Sequence, residues 1–363
     1  MTLAGSSSSN PRRIRGVVIV AWAVGAVSLL VLVLHLFVAV HVMGQRRAQP
    51  PVNLGNGPAV IARLPFPAAP DQSFSFAIIG DVNRGMATFE RVMQRVLAET
   101  NLSFLILLGD CASDPTRPDH DYFREEFAES GQTLPTFIVA GNHDVQVGRF
   151  EKEEFEQLYG PVDFNFVYGN CLFIGLGTGV LHGHQDEAVA YLERTLAAER
   201  AKVSHVFVFM HYPPMAALRA PQEKLFTHPE QFIELFDRYK VDYVISGHHH
   251  RLARTEDKAT TYLTSGGGGA RLREDEYGQS GLFHHAIVFQ VSGESIEEQV
   301  HMVRAAGVVK KYWEKWERWL TGDAWPLEKH HLALTLGANL VALLGLVFSL
   351  RIFWRRRSKP VAA

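Results

Sequence analysis

Two long apolar segments lie at opposite ends of the 363-residue chain. Residues 16–43 contain no Asp, Glu, Lys or Arg, and residues 332–350 are interrupted only by Thr335, Asn339 and Ser349 as polar side chains. About 20 apolar residues are enough for a helix to cross a bilayer. Either segment could instead be a buried core helix, but an apolar run of this length at each end favours two membrane-spanning helices.

Basic residues flank both segments on the side nearer each terminus. They are Arg12, Arg13 and Arg15 before the first segment, and Arg351, Arg355, Arg356, Arg357 and Lys359 around the end of the second. Because Lys and Arg accumulate on the cytoplasmic side, both termini are predicted to be cytoplasmic and the domain between them extracytoplasmic. Arg46 and Arg47, just after the first segment, argue against this orientation.

A cleaved signal peptide is the alternative for the first segment. Its apolar stretch is longer than a typical signal core of roughly 7–15 residues, and no A-x-A cleavage site follows it. The sequence therefore predicts an uncleaved anchor and a two-pass membrane protein, with the lipid bilayer as a partner.

Charge and cysteine content exclude several classes of domain. The formal net charge of -2 gives no global basic field, so nucleic acid is not expected as a binding partner. Cys111 and Cys171 could form at most one bridge, which rules out a disulfide scaffold and a thiolate zinc site. Two small buried residues are the favoured interpretation.

Between the two segments, short apolar runs alternate with stretches of helical periodicity. The apolar runs lie at 74–79, 104–108, 136–139, 171–176, 205–210 and 241–245, and the helical stretches at 87–99, 186–198 and 229–239. This alternation predicts an α/β fold. Later runs at 261–264, 283–291 and 295–304 lack intervening helices, which predicts antiparallel pairing and a mixed pair of sheets.

The predicted organisation follows from these patterns. In chain order it is a cytoplasmic N-terminus (1–15), a transmembrane helix (16–43), a proline-rich linker (44–71), one folded domain (72–305), an amphipathic interfacial segment (306–331), a second transmembrane helix (332–354) and a basic cytoplasmic tail (355–363). The linker lacks a sustained hydrophobic period and predicts a spacer.

In the interfacial segment, aromatic residues alternate with charged ones at helical spacing. They are Tyr312, Trp313, Trp316 and Trp319. This composition favours the lipid headgroup region, and a helix packed on the domain is the alternative.

Several apolar runs end in a cluster of Asp, Asn or His. The clusters are Gly-Asp-Val-Asn at 80–83, Gly-Asp at 109–110, Gly-Asn-His-Asp at 141–144, His211, and Gly-His-His-His at 247–250. Each cluster alone is typical of a turn or a surface histidine. Because α/β proteins assemble sites at strand ends, five converging clusters would supply carboxylate, amide and imidazole ligands for divalent Mn, Fe or Zn.

In this order, the clusters resemble the calcineurin-like metallophosphoesterase superfamily, whose pattern is D-x-H, G-D-x-x-D, G-N-H-D/E, a later H, and G-H-x-H. The resemblance spans about 72–304, and its most specific parts are residues 141–144 and 247–250. The run T-S-G-G-G-G-A at 264–270 also looks like a segment of many bacterial members, although alone it would indicate only a flexible loop. The resemblance implies a sandwich of two mixed β-sheets flanked by helices, and hydrolysis of phosphate esters.

The resemblance also implies a role for each residue. One metal ion would be held by Asp81, Asn83, Asp110 and His250, and the other by Asp110, Asn142, His211 and His248. Asp110 would bridge the two ions, and a hydroxide shared between them would attack phosphorus in line. His143 would protonate the leaving oxygen or stabilise its charge, with Asp144 holding the orientation of its ring.

Two positions depart from the superfamily pattern. Asn83 stands where a histidine is usual, so an amide oxygen replaces an imidazole and the preference should shift toward harder ions such as Mn. Ser113 occupies the place of the second aspartate of G-D-x-x-D, and Asp114 follows it. That position generally lies outside the ligand set, so we expect the absence of an aspartate there to have little effect on metal binding.

The sequence thus favours a hydrolase of phosphomonoesters or phosphodiesters, and the membrane tether adds lipid-linked phosphates as candidate substrates. A catalytically weak or inactive module, acting as a membrane-tethered binding or scaffold protein, is the alternative, and Asn83 is the feature that favours it. The motifs G-D-Y-V-D-R-G and G-N-H-E of the serine/threonine protein phosphatases do not occur.

Overall fold

The computed structural model describes residues 11–45, 51–65, 73–99, 101–177, 184–219, 226–273, 281–319 and 331–357. The chain forms two compact units. One unit combines the two chain ends, up to residue 47 and from residue 317, and the other contains residues 48–316.

The smaller unit is a pair of long apolar helices, α1 (Pro11–Gln45) and α10 (Leu332–Arg357), which pack against each other. Small side chains allow this approach, because a Cβ added at Gly25 would lie 3.0 Å from the Cβ of Ser349. His35 Nδ1 and Asn339 Oδ1, 2.7 Å apart, form a hydrogen bond between the helices. Val18–Val40 and Leu332–Trp354 are each long and apolar enough to cross a membrane, and most of their residues are exposed.

Among the described residues of the larger unit, the strands form two β-sheets. The strands are β1 (Phe74–Ile79), β2 (Leu102–Leu107), β3 (Thr136–Ile138), β4 (Phe164–Tyr168), β5 (Cys171–Leu176), β6 (His205–Met210), β7 (Tyr243–Ser246), β8 (Leu252–Asp257), β9 (Thr260–Ser265), β10 (His284–Ser292) and β11 (Ser295–Val303). The first sheet has the order β11-β10-β1-β2-β3, and the second has the order β4-β5-β6-β7-β9-β8. Both are mixed: β1 runs parallel to β2 but antiparallel to β10, and β9 runs parallel to β7 but antiparallel to β8.

Helices connect and cover these strands. They are α2 (Pro58–Ile61), α3 (Met86–Val96), α4 (Arg117–Glu129), α5 (Lys152–Tyr159), α6 (Gln185–Glu199), α7 (Pro214–Arg219), α8 (Pro229–Tyr239) and α9 (Val308–Trp319), with a 3-10 turn at Arg200–Lys202. Helices α3, α4 and α5 pack on the outer face of the first sheet, and α6 and α8 pack on the outer face of the second.

The core between the sheets is built from inward-facing aromatic side chains. Phe76 of β1 stacks on Phe104 of β2 and meets Phe173 of β5 edge to face, with ring centroids 5.2 Å apart in both pairs. Strand alternation explains this division, because Phe76 faces the opposite sheet whereas the next residue, Ala77, faces the helices. The predicted α/β fold of two mixed sheets flanked by helices is confirmed.

The hydrophobic pattern did not predict two strands, β4 and β8, which form the edges of the second sheet. Strand β8 has no fully buried residue, and its sequence Leu-Ala-Arg-Thr-Glu-Asp contains no apolar run. An edge strand exposed to solvent gives little hydrophobic signal, so its pairing depends on the neighbouring strand.

The segment 44–71, predicted as a spacer, is attached to the larger unit over part of its length. Leu54 forms a β-bridge with Thr136 at the edge of the first sheet. The buried Asn56 donates from Nδ2 to the carbonyl oxygen of Ile138, and its Oδ1 accepts from the N–H of the same residue. One backbone bridge and one polar side chain make these contacts, which is why hydrophobic periodicity did not predict them.

The predicted interfacial segment contains α9, which presents two different faces. Glu314 is buried against α3, and its carboxylate accepts hydrogen bonds from the N–H groups of Met86 and Ala87. Tyr312 and Trp313 are exposed. One face of the helix therefore packs on the domain, and residues 320–330 of the segment lie outside the described residues.

Candidate metal centre

The polar clusters lie at the carboxyl ends of strands in both sheets. Strands β1, β2 and β3 run parallel, so Asp81, Asp110 and Asn142, which follow them, share one edge of the first sheet. His211 and His248 follow β6 and β7, which are parallel neighbours in the second sheet. The two edges together bring the five clusters to one place.

The loops that carry these residues have strained backbone geometry. Asp81, Asn83, Asp110 and His248 all have φ between 43° and 68°. Residues other than glycine rarely adopt such backbone angles, which cost about 1–3 kcal/mol each and occur most often at functional sites. Packing is also tight, because a Cβ added at Gly141 would collide with Oδ1 of Asp110. The glycine of the G-N-H-D motif is therefore required for this close approach.

Asp81, Asp110 and His250 form a compact buried group whose ligand atoms all lie within 4.8 Å of one another. His250 Nε2 lies 3.5 Å from Asp81 Oδ1. Its other ring nitrogen, Nδ1, lies 2.8 Å from the carbonyl oxygen of Arg271 and therefore carries the proton. This leaves Nε2 as an acceptor directed at the carboxylates, so the group could hold a divalent cation.

A second group surrounds the amide oxygen of Asn142. His211 Nε2 lies 3.1 Å from Asn142 Oδ1 and 3.3 Å from Asp110 Oδ1. His248 Nδ1 also lies 3.1 Å from Asn142 Oδ1. His211 Nδ1 donates to the carbonyl oxygen of Leu108 at 2.8 Å, which directs Nε2 into the group. Asp110 is therefore part of both groups.

Two buried carboxylates dominate the electrostatics of the centre. Burial raises the pKa of Asp81 well above its usual value, and the charge of Asp110 adds to this rise. Burial acts in the same direction on Asp110, but the charge and hydrogen bond of His211 outweigh it and lower the pKa of Asp110. Burial alone would lower the pKa of His211, yet Asp110 raises it to about 9. The carboxylates thus attract positive charge, which divalent cations would also provide.

His143 lies beside the two groups. Its backbone N–H donates to Asp110 Oδ1 at 2.8 Å. Its ring nitrogen Nδ1 lies 2.8 Å from the carbonyl oxygen of Ser113. The carbonyl group can only accept, so Nδ1 carries a proton. Nε2 is then the ring nitrogen available for proton exchange.

Asp144 does not hold the ring of His143, and the sequence prediction on this point is wrong. Ser113 makes the orienting contact instead, through its backbone carbonyl group. The buried carboxylate of Asp144 accepts three hydrogen bonds at 2.8 to 2.9 Å, from the N–H groups of Cys111, Ala112 and Gly141. Asp144 therefore ties the loop after β3 to the loop after β2.

A family model matches the part of the chain that carries these groups. Residues 74–252 match the family described as Calcineurin-like phosphoesterase. This domain belongs to the calcineurin-like phosphoesterase family. The resemblance noted in the strand-end motifs is thereby confirmed, and the matched residues extend from β1 to the start of β8.

Several solved structures match this chain over most of their own length. A dimetal phosphatase from Danio rerio is 15% identical, with 64% of this chain and 99% of that chain covered and a TM-score of 0.47. PhoD is 12% identical, with 73% and 80% covered and a TM-score of 0.45. GAP50, the anchor in the inner membrane complex of Plasmodium, is 14% identical, with 68% and 94% covered and a TM-score of 0.45.

Asn83 is the position where this chain departs most from the superfamily motif. Its N–H donates to the carbonyl oxygen of Asp110 at 2.7 Å, which places the residue beside the first group. Its side-chain Oδ1, however, accepts from the N–H of Arg84 at 2.7 Å. The amide oxygen is therefore turned toward Arg84, whereas His250 Nε2 is directed at Asp81.

The sequence analysis did not predict the supporting roles of two residues in the loops of the metal centre. Besides its contact with His143, Ser113 donates from Oγ to the carbonyl oxygen of Asn83 at 3.3 Å. His120 of α4 is buried, with Nε2 2.8 Å from the carbonyl oxygen of Asp144 and Nδ1 3.0 Å from the hydroxyl of Tyr159. No motif marks His120, and Ser113 acts mainly through its backbone.

The glycine run at 264–270 packs tightly instead of forming a free loop. Gly268 donates from its N–H to the carbonyl oxygen of Gly80 at 2.6 Å, and Ala270 donates to that of Asp81 at 2.8 Å. A Cβ added at Gly266 would lie 2.8 Å from Asp81 Oδ2. The run therefore supports the Asp81 loop at a distance that only glycine allows.

Proposed function

We propose that this protein is a metal-dependent phosphoesterase that hydrolyses phosphomonoesters or phosphodiesters. The observation that carries the proposal is the position of Asp110, which is grouped with Asp81 and His250 and also lies 3.3 Å from His211. Two divalent cations at close range require an anionic donor between them. Membership of the phosphoesterase family supports phosphate esters as the substrate class.

The donors divide into two halves that share Asp110. The first half is Asp81, Asn83, Asp110 and His250, and the second half is Asp110, Asn142, His211 and His248. Carboxylate, amide and imidazole donors suit Mn, Fe or Zn, and the amide of Asn83 favours Mn. When bound, such ions would polarise the phosphoryl oxygens and lower the pKa of the attacking water for in-line displacement.

His143 is the proposed acid. With Nδ1 held by the carbonyl group of Ser113, Nε2 of the protonated ring can donate its proton to the leaving oxygen. The hydrogen bond from the backbone N–H of His143 to Asp110 keeps the ring beside the shared carboxylate. Asp144 acts indirectly, by holding together the loops that carry Asp110 and His143.

A hydrolysis panel tests this proposal. The full-length protein in detergent is stripped of metal and assayed on phosphomonoesters, phosphodiesters and lipid-linked phosphates, with and without added Mn, Fe or Zn. We expect chelation to abolish hydrolysis and Mn to restore it. Undiminished hydrolysis after chelation, with metal loss verified by elemental analysis, would overturn the proposal.

The orientation of Asn83 favours a second candidate, a catalytically weak or inactive module that serves as a tethered binding or scaffold protein. An amide oxygen turned toward Arg84 would hold the first ion weakly. The same panel separates the candidates. A scaffold would hydrolyse no more substrate in the presence of Mn than its Asp110→Ala variant does.

The membrane anchor is the other part of the proposal. The two apolar helices support a two-pass protein, and the basic residues at 12–15 and 355–359 support an extracytoplasmic domain. Protease added to intact cells should then cleave the domain and spare tags on both termini. Cleavage of the tags with protection of the domain would reverse the orientation.

The anchor also bears on the substrate. The exposed Tyr312 and Trp313 of α9 suit the headgroup region of a bilayer, which would bring the domain close to lipid-linked phosphates. A faster reaction with lipid-linked than with soluble phosphates in the panel would support this substrate class. Equal hydrolysis rates for lipid-linked and soluble phosphates would indicate that the membrane anchor only localises the protein.

A further inference from the structure

Helix α3 begins directly after the loop that carries Asp81 and Asn83, and its first residues are buried. Met86 and Ala87 are only 2% and 1% exposed, so water does not reach their N–H groups. The N-cap residue, Gly85, has no side chain that could accept a hydrogen bond from them. A buried helix end of this kind needs acceptors from elsewhere in the fold.

Glu314 of α9 provides both acceptors. Its Oε1 accepts from the N–H of Met86 at 3.0 Å, and its Oε2 accepts from the N–H of Ala87 at 3.2 Å. The negative carboxylate also interacts favourably with the positive end of the α3 dipole. Glu314 is 9% exposed, so solvent screens this interaction only weakly.

Other contacts hold the α9 segment on α3. Ala306 donates from its N–H to Thr88 Oγ1 at 3.1 Å. Arg91 Nη1 donates to the carbonyl oxygen of Ala305 at 3.0 Å, and Lys310 forms a salt bridge with Glu90. Because these contacts do not involve Glu314, we expect α9 to stay in place when this residue is replaced.

The capped end of α3 is directly connected to the ligand loop. Gly85 donates from its N–H to the carbonyl oxygen of Val82 at 2.9 Å, which makes a tight turn between Asn83 and the helix. Gly85 also abuts the glycine run, since a Cβ added there would collide with the backbone of Gly269. The loop is thus confined between the glycine run and the end of α3. A displacement of α3 would move Asn83 and Asp81.

We propose that Glu314 is a positioning residue for the metal centre. By capping α3, it holds the loop of Asp81 and Asn83 in the geometry needed for metal binding and so determines the metal affinity of the first half. Glu314 lies outside residues 74–252, which match the family model, so this support comes from the C-terminal segment of the chain. The inference rests on the proposed function.

Titration of the metal-free full-length protein with Mn²⁺ tests this inference in Glu314→Ala and Glu314→Gln. In Glu314→Ala, we expect one of the two Mn²⁺ affinities to fall by about 10- to 100-fold, the range typical of residues that support metal ligands. Glu314→Gln keeps one acceptor oxygen, so its loss should be smaller. The other Mn²⁺ affinity should not change in either variant.

Glu151→Gln is a matched control, because Glu151 is the N-cap residue of a helix and its carboxylate also accepts a hydrogen bond from a backbone N–H, that of Gly148. That helix is α5, which carries none of the proposed ligands. This control should lose some thermal stability while both Mn²⁺ affinities stay at the wild-type values. Two wild-type Mn²⁺ affinities in Glu314→Ala, whatever its thermal stability, would show that Glu314 only stabilises the fold and would overturn the inference.

Amide hydrogen exchange in the metal-free protein distinguishes this inference from the proposed function. In Glu314→Gln, amides at 81–87 should exchange faster than in the wild type, while those at 142–144 should be unchanged. If wild-type protein bound no Mn²⁺, the proposed function would fail, but the exchange experiment would still show whether Glu314 holds the loop. Unchanged exchange at 81–87 would overturn the inference in either case.

Discussion

The two halves of the proposed metal centre are held in place to different degrees. In the second half, His211 and His248 both contact the amide oxygen of Asn142. The other ring nitrogen of His211, Nδ1, donates a hydrogen bond to the carbonyl oxygen of Leu108. This half is therefore preorganised by contacts among its own ligands.

The first half is less complete. His250 is oriented by the carbonyl group of Arg271, but Asn83 is turned toward Arg84. Its loop depends on supports from other parts of the chain, namely the glycine run and the end of α3. We therefore expect the second half to bind its ion more tightly, and the metal affinity of the first half to depend more on changes elsewhere in the fold.

The largest effect should come from removing the ligand that the halves share. Asp110→Ala should lose both ions and reduce hydrolysis to the background rate, because neither half retains its anionic bridge. Metal content and hydrolysis are measured together. Asp114→Ala is the matched control, since Asp114 pairs with Arg84 at the surface and should leave both ions bound. Two bound ions in Asp110→Ala would refute a shared ligand.

Substitution of His143 should separate catalysis from metal binding. His143→Ala should retain both ions and lose about 10²- to 10⁴-fold in turnover of an ester with a poor leaving alcohol, the usual contribution of a positioned acid. The loss should be much smaller for a nitrophenyl ester, whose leaving group hardly needs a proton. His249→Ala, a neighbouring histidine outside both halves, serves as the control. Equal losses on both esters, or lost metal, would exclude His143 as the acid.

Asp144 should affect stability more directly than chemistry. Asp144→Ala leaves three buried N–H groups without their acceptor, which should reduce the free energy of unfolding by about 3 kcal/mol or more. Urea denaturation of the metal-free protein measures this loss. An unchanged free energy of unfolding combined with lost hydrolysis would instead assign Asp144 a direct part in the reaction.

The support of the second half includes a titratable group, His120. Burial lowers the pKa of His120 to about 4, below the value of about 6.5 in an unfolded chain. The folded state therefore binds fewer protons in this range, and stability should fall by about 2 kcal/mol as the pH drops from about 8 to about 5. Denaturation at several pH values measures the slope, which should be shallower in His120→Phe. An equal slope in this variant would assign the pH dependence to other groups.

The smallest effect should come from repairing the first half. Asn83→His restores the imidazole of the superfamily motif and should tighten Mn²⁺ binding there by about tenfold, or roughly 1.4 kcal/mol. Histidine is among the residues that tolerate the left-handed backbone at this position, where φ is 43°. The affinity of the second half should stay constant. An unchanged affinity in the first half would show that position 83 does not bind metal.

The sequence predicted those features that depend on repeated patterns. Apolar runs indicated the inner strands of both sheets, and polar residues at their ends identified Asp81, Asp110 and His250, which the structure groups within 4.8 Å. The apolar runs and the polar strand ends both arise because parallel strands are buried on both faces and expose their carboxyl ends along one edge of the sheet.

The supports of these residues could not be predicted in the same way. The orienting group on His143 is the backbone carbonyl of Ser113, which any residue type would provide. Glu314 caps α3 from far along the chain, and in the sequence it resembles any charged residue of an amphipathic helix. Such contacts depend on tertiary packing, so no local sequence signal reveals them.

We expect one chain to bind two divalent ions through Asp110, with unequal affinity in the two halves. Titration of the metal-free full-length protein with Mn²⁺ measures both the number of bound ions per chain and their affinities. We expect two Mn²⁺ per chain in two affinity classes, with binding in the weaker class further weakened in Asn83→Ala. One ion per chain or none at saturating Mn²⁺, or two ions whose affinities Asn83→Ala leaves unchanged, would contradict this expectation.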